Sequence, residues 1–392
     1  MKNILLRLLS LILASLLWLP TMHFLFKPDI SKYVSTNTLS PNSEKLCLRH
    51  IELWTNPAYK KIELAKMQSL NPEWDFMSRT YFVLSLANIG LRNKSYIEVS
   101  LKIIDTIIDN TLLIEKSKKF EHFLMKYGRH GGWKTQPPQS LFVDGEIALM
   151  LGARRLLKEK DQYRILLQKR VEKMMAQMRK SPILCAESYP DECWIFCNSV
   201  AIAAIKIHNE LDKAGNEKFV AKWLKNIKNK LIDPKTGILI SAFTLNGTPA
   251  PSGPGPEGTS IWMACKMLQI ADPEFAESQY LKAKKVLGKS LFGFGYSREW
   301  PESSYGSMDI DSGPVIPVLG LSASASGLAI IAASSFNDTE YLVKLLTSLN
   351  FMGFPKETNG QLIYDASNPV GDSVLLYSLV QGPLWKKVRS LK

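Results

Sequence analysis

Asp144-Gly145-Glu146-Ile147-Ala148-Leu149-Met150-Leu151 opens on two carboxylates and runs into a segment that is apolar round most of a helical circumference. A helix with no polar face belongs inside a protein, enclosed by others. The same theme recurs about every 50 to 70 residues, a period that calls for a repeat architecture. It begins at Asp75 before Tyr81–Ala87, and at Asp191-Glu192 before Ala201–Ile205. It returns at Glu257-Gly258-Thr259-Ser260 before Ile261–Ala264, and at Asp311-Ser312-Gly313-Pro314 before Leu328–Ala333. The sixth case is Asp372-Ser373 before Val374–Leu379.

Helices of a second kind lie between these. Leu167, Val171, Met174, Met175 and Met178 make one apolar stripe, with Lys169, Arg170, Lys173 and Arg179 elsewhere on the circumference. Ile103, Ile104, Ile107 and Ile108 do the same earlier, and Phe219, Trp223, Ile227 and Leu231 later. A one-striped helix suits an outer layer. Strand signals are nearly absent. Six alternations of the two kinds predict an all-α fold, an (α/α)6 toroid of six inner and six outer helices. An irregular bundle or an open solenoid are the competing architectures.

The N-terminus stands apart. Met1-Lys2-Asn3 and Arg7 precede an apolar run from Leu8 to Phe26, broken by Ser10, Ser15, Pro20, Thr21 and His23. At ~1.5 Å per residue, roughly 19 residues cross about 30 Å of hydrocarbon. A cleaved signal peptide has the same start, but bulky Trp18, Met22, Phe24 and Phe26 occupy the place of a small-residue cleavage site. The expected organisation is an N-terminal transmembrane signal anchor over 1–28, a linker over 29–60 and the toroid domain over 61–392. That makes a single-pass membrane protein whose soluble domain is periplasmic or otherwise extracytoplasmic.

The net charge is +13, yet the basic residues are spread over amphipathic helices, and no nucleic-acid motif or aromatic platform accompanies them. A nucleic-acid partner is therefore not expected; an anionic membrane surface suits an anchored protein better. Five cysteines, Cys47, Cys185, Cys193, Cys197 and Cys265, are too few for a disulfide scaffold and lack metal-ligand spacing. No metal and no cofactor are expected.

If inner helices run parallel, the loops that enter them converge on one mouth, where positive helix ends favour carboxylates. The densest such loop is Glu187-Ser188-Tyr189-Pro190-Asp191-Glu192-Cys193-Trp194-Ile195-Phe196-Cys197-Asn198. Its Asp191 and Glu192 suit an acid and a base if burial separates their pKa values. Around it the candidate substrate-binding residues are Asp144, Cys193, Trp194, Asn198, Glu257, Glu299, Asp309 and Asp311. Glu299 belongs to Gly293-Phe294-Gly295-Tyr296-Ser297-Arg298-Glu299-Trp300, and Asp309 to Ser307-Met308-Asp309-Ile310-Asp311. His130, in Tyr127-Gly128-Arg129-His130, lies on a loop suited to covering the cavity.

Tyr189-Pro190-Asp191-Glu192-Cys193-Trp194, Phe196-Cys197-Asn198, Gly258-Thr259-Ser260 and Asp311-Ser312-Gly313-Pro314 resemble bacterial members of the linalool dehydratase/isomerase-like family, in its membrane-anchored branch. The resemblance covers most of the chain after residue 60. It implies an (α/α)6 fold and cofactor-free addition or removal of water on an allylic terpene alcohol, with two cysteines, an aspartate, a histidine and tyrosines as acid/base groups. Cys197, followed by Asn198, matches the second cysteine; the position matching the first holds Ser188. By position, proton transfer then falls to Tyr189, Asp191, Glu192 and Cys197. The expected function is a cofactor-independent lyase, hydratase or isomerase for a small isoprenoid-like or amphiphilic substrate. A glycan-active enzyme and a non-catalytic envelope protein binding lipid or glycan are the alternatives.

Overall fold

The computed structural model describes residues 2–251, 253, 255–304 and 306–391, and of Lys2 and Asp309 the backbone alone. The chain is mostly helical. The apolar N-terminal segment is α1 (Lys2–Thr21), and α2 (Pro41–Thr55) follows. Next come α3 (Pro72–Arg92), α4 (Ile97–Lys118), α5 (Leu141–Leu157), α6 (Asp161–Met178), α7 (Ile195–Asp212) and α8 (Glu217–Lys230). The C-terminal half holds α9 (Gly258–Leu268), α10 (Pro273–Val286), α11 (Ala323–Ser335), α12 (Thr339–Met352), α13 (Pro369–Val380) and α14 (Pro383–Arg389).

Their packing closes a cycle. α3 packs on α5, α5 on α7, α7 on α9, α9 on α11, α11 on α13, and α13 returns to α3. These are the helices of the apolar repeat, and most of their residues are buried. α4, α6, α8, α10 and α12 each pack outside a neighbour in that cycle. α14 runs back beneath it, touching α3, α5 and α7.

The helix starts follow local chemistry. Asn71 accepts a hydrogen bond from the Trp74 amide, with Pro72 at the first helical position. Ser140, Ser322 and Asn368 cap α5, α11 and α13 in the same way. The repeat's aspartates are thus not the caps. Asp75, Asp144 and Asp372 sit inside the first turn, where a carboxylate complements the helix dipole.

Two sequence expectations change. The stretch read as a linker, 29–60, contains α2, whose Leu46, Leu53 and Trp54 are buried against the core and which packs on α13. The near-absence of strands also gives way. β1 (Cys193–Trp194) pairs antiparallel with β2 (Ala242–Phe243). β3 (Gly288–Leu291), β4 (Phe294–Arg298), β5 (Asp309–Ile310), β6 (Gly313–Ile316) and β7 (Leu321–Ser322) form one sheet in the order β3-β4-β7-β6-β5. β8 (Pro355–Thr358) and β9 (Gln361–Tyr364) make a hairpin. All are two to five residues long, too short to carry a period-two signal. This sheet enters the ring between α10 and α11. Gly258 permits the approach: a Cβ there would lie 2.5 Å from the Arg298 carbonyl oxygen and 2.8 Å from the Ala325 Cβ.

Candidate functional site

A cavity of about 840 Å³ opens where the inner helices begin. Each contributes side chains from its first turns: Glu73, Trp74 and Met77 from α3, Phe142 from α5, Phe196 and Cys197 from α7, Thr259 and Ser260 from α9, Ser324 and Leu328 from α11, Asp372 and Leu375 from α13. Six N-terminal helix ends therefore face one space, which favours carboxylates and oxygen-rich ligands there.

The polar heart of the wall joins four distant segments. Tyr189 donates its phenolic proton to Glu73 Oε1, and its oxygen accepts from the Met125 amide at 3.0 Å. The Tyr189 ring stacks on Tyr127, with centroids 5.0 Å apart. Tyr127 in turn donates to Asp311 Oδ2 at 2.7 Å, and Asn71 Nδ2 holds the Asp311 carbonyl at 3.0 Å. Removal from water raises the Glu73 carboxyl to about 7; the Tyr189 bond opposes that rise and the nearby Asp311 charge adds to it. Burial, then the Glu73 charge, pushes the Tyr189 phenol upward, so it remains a proton donor at neutral pH.

Cys197 lines the cavity wall with the Ser188 hydroxyl beside it, and burial raises its thiol. Behind it lies Glu146, buried, with its carboxyl raised to about 7 by desolvation. Glu257 faces the cavity from the entry to α9, and burial, then the charges of Glu299 and Glu192, hold it well above the usual carboxylate range. Asp372 is raised to about 7, again chiefly by burial. Carboxyls kept neutral near pH 7 in an apolar wall are competent general acids.

Tyr189, Glu192, Cys197, Trp194, Glu257 and Asp311 thus meet in the cavity. Glu192 accepts from Trp194 Nε1 at 3.2 Å. Other candidates stand elsewhere. Asp191 is a turn residue with φ +62°, its exposed carboxylate 3.5 Å from Lys134 Nζ. Asp144 faces the outer layer, paired with Arg170 and 3.1 Å from Lys173. Cys193 is buried in β1. Asn198 clamps the backbone, accepting from the Ala186 amide at 3.0 Å and donating to the Trp194 carbonyl at 2.9 Å. Glu299 lies behind the wall and accepts from the Thr259 hydroxyl at 2.6 Å. The Asp309 side chain falls outside the described residues. His130 is exposed and does not line the cavity.

Sequence reasoning missed Glu73, Tyr127 and Asp372 as site residues. Glu73 had a readable signal in Asn71-Pro72-Glu73, a capped helix start with an acid in its first turn. Tyr127 sits in the loop that was read for His130. Among the described residues no group of three His, Cys, Asp or Glu side chains is placed to hold a metal ion.

Two solved structures cover most of the chain at low similarity. A glycoside hydrolase from family 105 of C. acetobutylicum ATCC 824 has 15% identity and a TM-score of 0.49, covering 88% of this chain and 99% of its own. A GH76 alpha-mannanase of Bacteroides thetaiotaomicron has 11% identity and a TM-score of 0.43, covering 80% and 87%. Neither bears on the chemistry of this cavity. The family described as linalool dehydratase/isomerase matches residues 147–370, a span that holds Tyr189, Glu192, Cys197, Glu257 and Asp311 and leaves Glu73 and Tyr127 before it. With more than half of its length matched, the chain belongs to the linalool dehydratase/isomerase family.

Proposed function

We propose that this protein is a cofactor-independent lyase, hydratase or isomerase that moves a proton and a hydroxyl group on a small isoprenoid-like, amphiphilic alcohol. Its cavity is the centre of an (α/α)6 toroid in which α2 supplies the sixth outer helix, and α1 anchors the chain with the ring outside the cytoplasm. The observation that carries the proposal is the Tyr189–Glu73 hydrogen bond in a cavity also lined by Cys197 and large apolar side chains.

In the dehydration direction, protonated Glu73 gives its proton to the substrate hydroxyl and the allylic C–O bond breaks, releasing water. Tyr189 then stabilises the Glu73 carboxylate through the hydrogen bond it already makes. A second carboxylate of the wall, Asp311 or Glu192, takes a proton from the neighbouring carbon, and the C–H electron pair closes the new double bond. Acid/base steps of this kind contribute about 10²–10⁴-fold each. Hydration runs the same steps in reverse.

A glycan-active enzyme is the second reading, favoured by Glu192, Glu257 and Asp311 lining one cavity. One experiment separates them. The full chain in detergent is incubated with allylic terpene alcohols and, in parallel, with oligosaccharides, and products are read by mass spectrometry. Water loss or allylic isomerisation by the wild type, abolished in Glu73→Gln, is expected. Oligosaccharide cleavage with no change in the alcohols would overturn the proposal.

A further inference from the structure

The apolar segment α1 leads directly to the rim of the cavity. After it, His23 packs against Gly293 and edge-on to Phe294, with ring centroids 6.4 Å apart. Phe26 packs on Phe351 at 4.9 Å, and its carbonyl accepts from Asn350 Nδ2 at 3.0 Å. Phe294 and Phe351 close the group at 5.1 Å. The residues after α1 are therefore fixed to two points of the ring, the β3–β4 turn and the last turn of α12.

Helix direction says which end of the ring this is. The cavity lies where inner helices begin. α12 runs back from the far end of α11, so its C-terminal turn reaches the level where α11 starts. Ser348, Leu349 and Met352 of that turn line the cavity wall, one residue from the Phe351 that receives Phe26. The mouth and the emergence of α1 share one face.

That face is apolar beyond what the fold needs. Leu25, Leu291, Phe292, Met352 and Phe354 are all exposed there, and Phe354 retains 62% of its accessible surface. Lys27 and Lys32 are exposed on the segment that joins α1 to the ring, with Asp29 between them, and Lys356 is exposed and paired with Asp365. Large apolar side chains with lysines beside a membrane-length helix match an anionic lipid interface in both polarity and charge. Met352 belongs to both the exposed patch and the cavity lining, so the apolar surface continues from outside to inside.

We infer that the rim formed by the β3–β4 turn and the end of α12 docks on the anionic bilayer that holds α1, and that the cavity receives its substrate from the lipid phase. The substrate class narrows to alcohols that partition into membranes, entering past Met352 with the hydroxyl end last or turned towards Glu73. The naming of that substrate rests on the proposed reaction; the docking rests only on the proposed anchoring of α1.

The test uses the full chain in vesicles of phosphatidylcholine and phosphatidylglycerol containing a doxyl-labelled phosphatidylcholine. The native cysteines are all buried, so an environment-sensitive fluorophore goes to one introduced thiol at a time. Phe354→Cys and Leu291→Cys probe the rim, and Ile165→Cys, in the first turns of α6, probes the far end of the ring. The rim labels are expected to emit at shorter wavelength than in detergent-free buffer and to lose most of their emission to the doxyl lipid, while the label at position 165 keeps its own. Rim labels quenched no more than the one at 165 would overturn docking. The readout needs no turnover, so failure of the enzymatic reading leaves it standing and interpretable.

Discussion

The phenol of Tyr189 donates to the carboxyl of Glu73, a residue 116 positions earlier, and this one bond ties the entry loop of α7 to the first turn of α3. Glu73 is one of the carboxyls whose proton affinity burial sets near neutrality, with Glu146 and Asp372, and it is the one bonded to Tyr189. Glu73→Gln keeps the shape and a hydrogen-bonding carbonyl but removes the titrating proton. Turnover is expected to fall by about 10²–10⁴-fold with KM little changed, since the loss is in proton transfer. Tyr189→Phe removes the partner that stabilises the Glu73 anion, so Glu73 keeps its proton to higher pH and the alkaline limb of the pH–rate profile for dehydration should move upward. Steady-state kinetics across pH checks both, and an unchanged profile in Tyr189→Phe would separate the pair.

Glu146 makes a stability prediction with a definite sign. Its carboxyl is raised by burial from 4.5 to about 7, so the folded state holds the proton more tightly than the unfolded chain does. Its contribution is fully present below the unfolded value and is lost as pH rises through the folded one. A displacement of this size corresponds to about 3 kcal/mol as an upper bound. Urea unfolding should show the wild type losing more stability between about pH 5 and about pH 8 than Glu146→Gln, which stays neutral throughout. Equal losses would mean that Glu146 reaches water in the folded protein.

The ring was readable because six entry loops repeat one pattern, a polar start followed by a segment with no polar face. The orientation of each carboxylate was not. Asp75, Asp144 and Asp372 hold the same position in their first turns, yet Asp75 pairs with Arg79 at 3.0 Å, Asp144 faces Arg170 and Lys173, and Asp372 lines the cavity. One residue is only about 100° of helix rotation, and the outer neighbours that decide the facing come from elsewhere in the chain. The repeat pattern starts at Asp75, two residues past Glu73, and so passes over the partner of Tyr189. α2 has the look of a linker because its apolar residues, Leu46, Leu53 and Trp54, are scattered among charges. Tyr189, Cys197, Glu257 and Asp311, which line the cavity, stand out in the sequence because each sits in a loop or first helical turn dense in groups that a bare connection does not need.

Gly128 tests how the covering loop positions Tyr189. A Cβ at this residue would fall on the Cδ1 and Cε1 edge of the Tyr189 ring. The ring has little room to retreat, being stacked on Tyr127 and bonded to Glu73 and the Met125 amide. Gly128→Ala should displace it and cost about 1–3 kcal/mol of local packing. Activity is then expected to fall as it does in Glu73→Gln, while the global unfolding midpoint moves only slightly. Full activity in Gly128→Ala would show that the tyrosine tolerates the shift and that its hydrogen bond is not needed for turnover.

The cysteines give the last prediction, and it bears on the kind of chemistry Cys197 can do. All five are free and buried. Burial pushes the Cys47 thiol up to about 12, and it moves Cys185, Cys193, Cys197 and Cys265 in the same direction. Since alkylation requires the thiolate, the native protein should take up almost no iodoacetamide at neutral pH, even though Cys197 lines a cavity large enough to admit the reagent. Unfolding without reductant should release all five for labelling, read as five adducts by intact mass. Three adducts would instead reveal a disulfide. Rapid native labelling at Cys197 alone would mean an activated thiolate, and a nucleophilic role in place of proton donation. A protonated, unreactive Cys197 fits the acid/base mechanism proposed for Glu73, in which the thiol lines the wall and forms no covalent bond to carbon, because burial holds its proton too tightly for it to act as nucleophile.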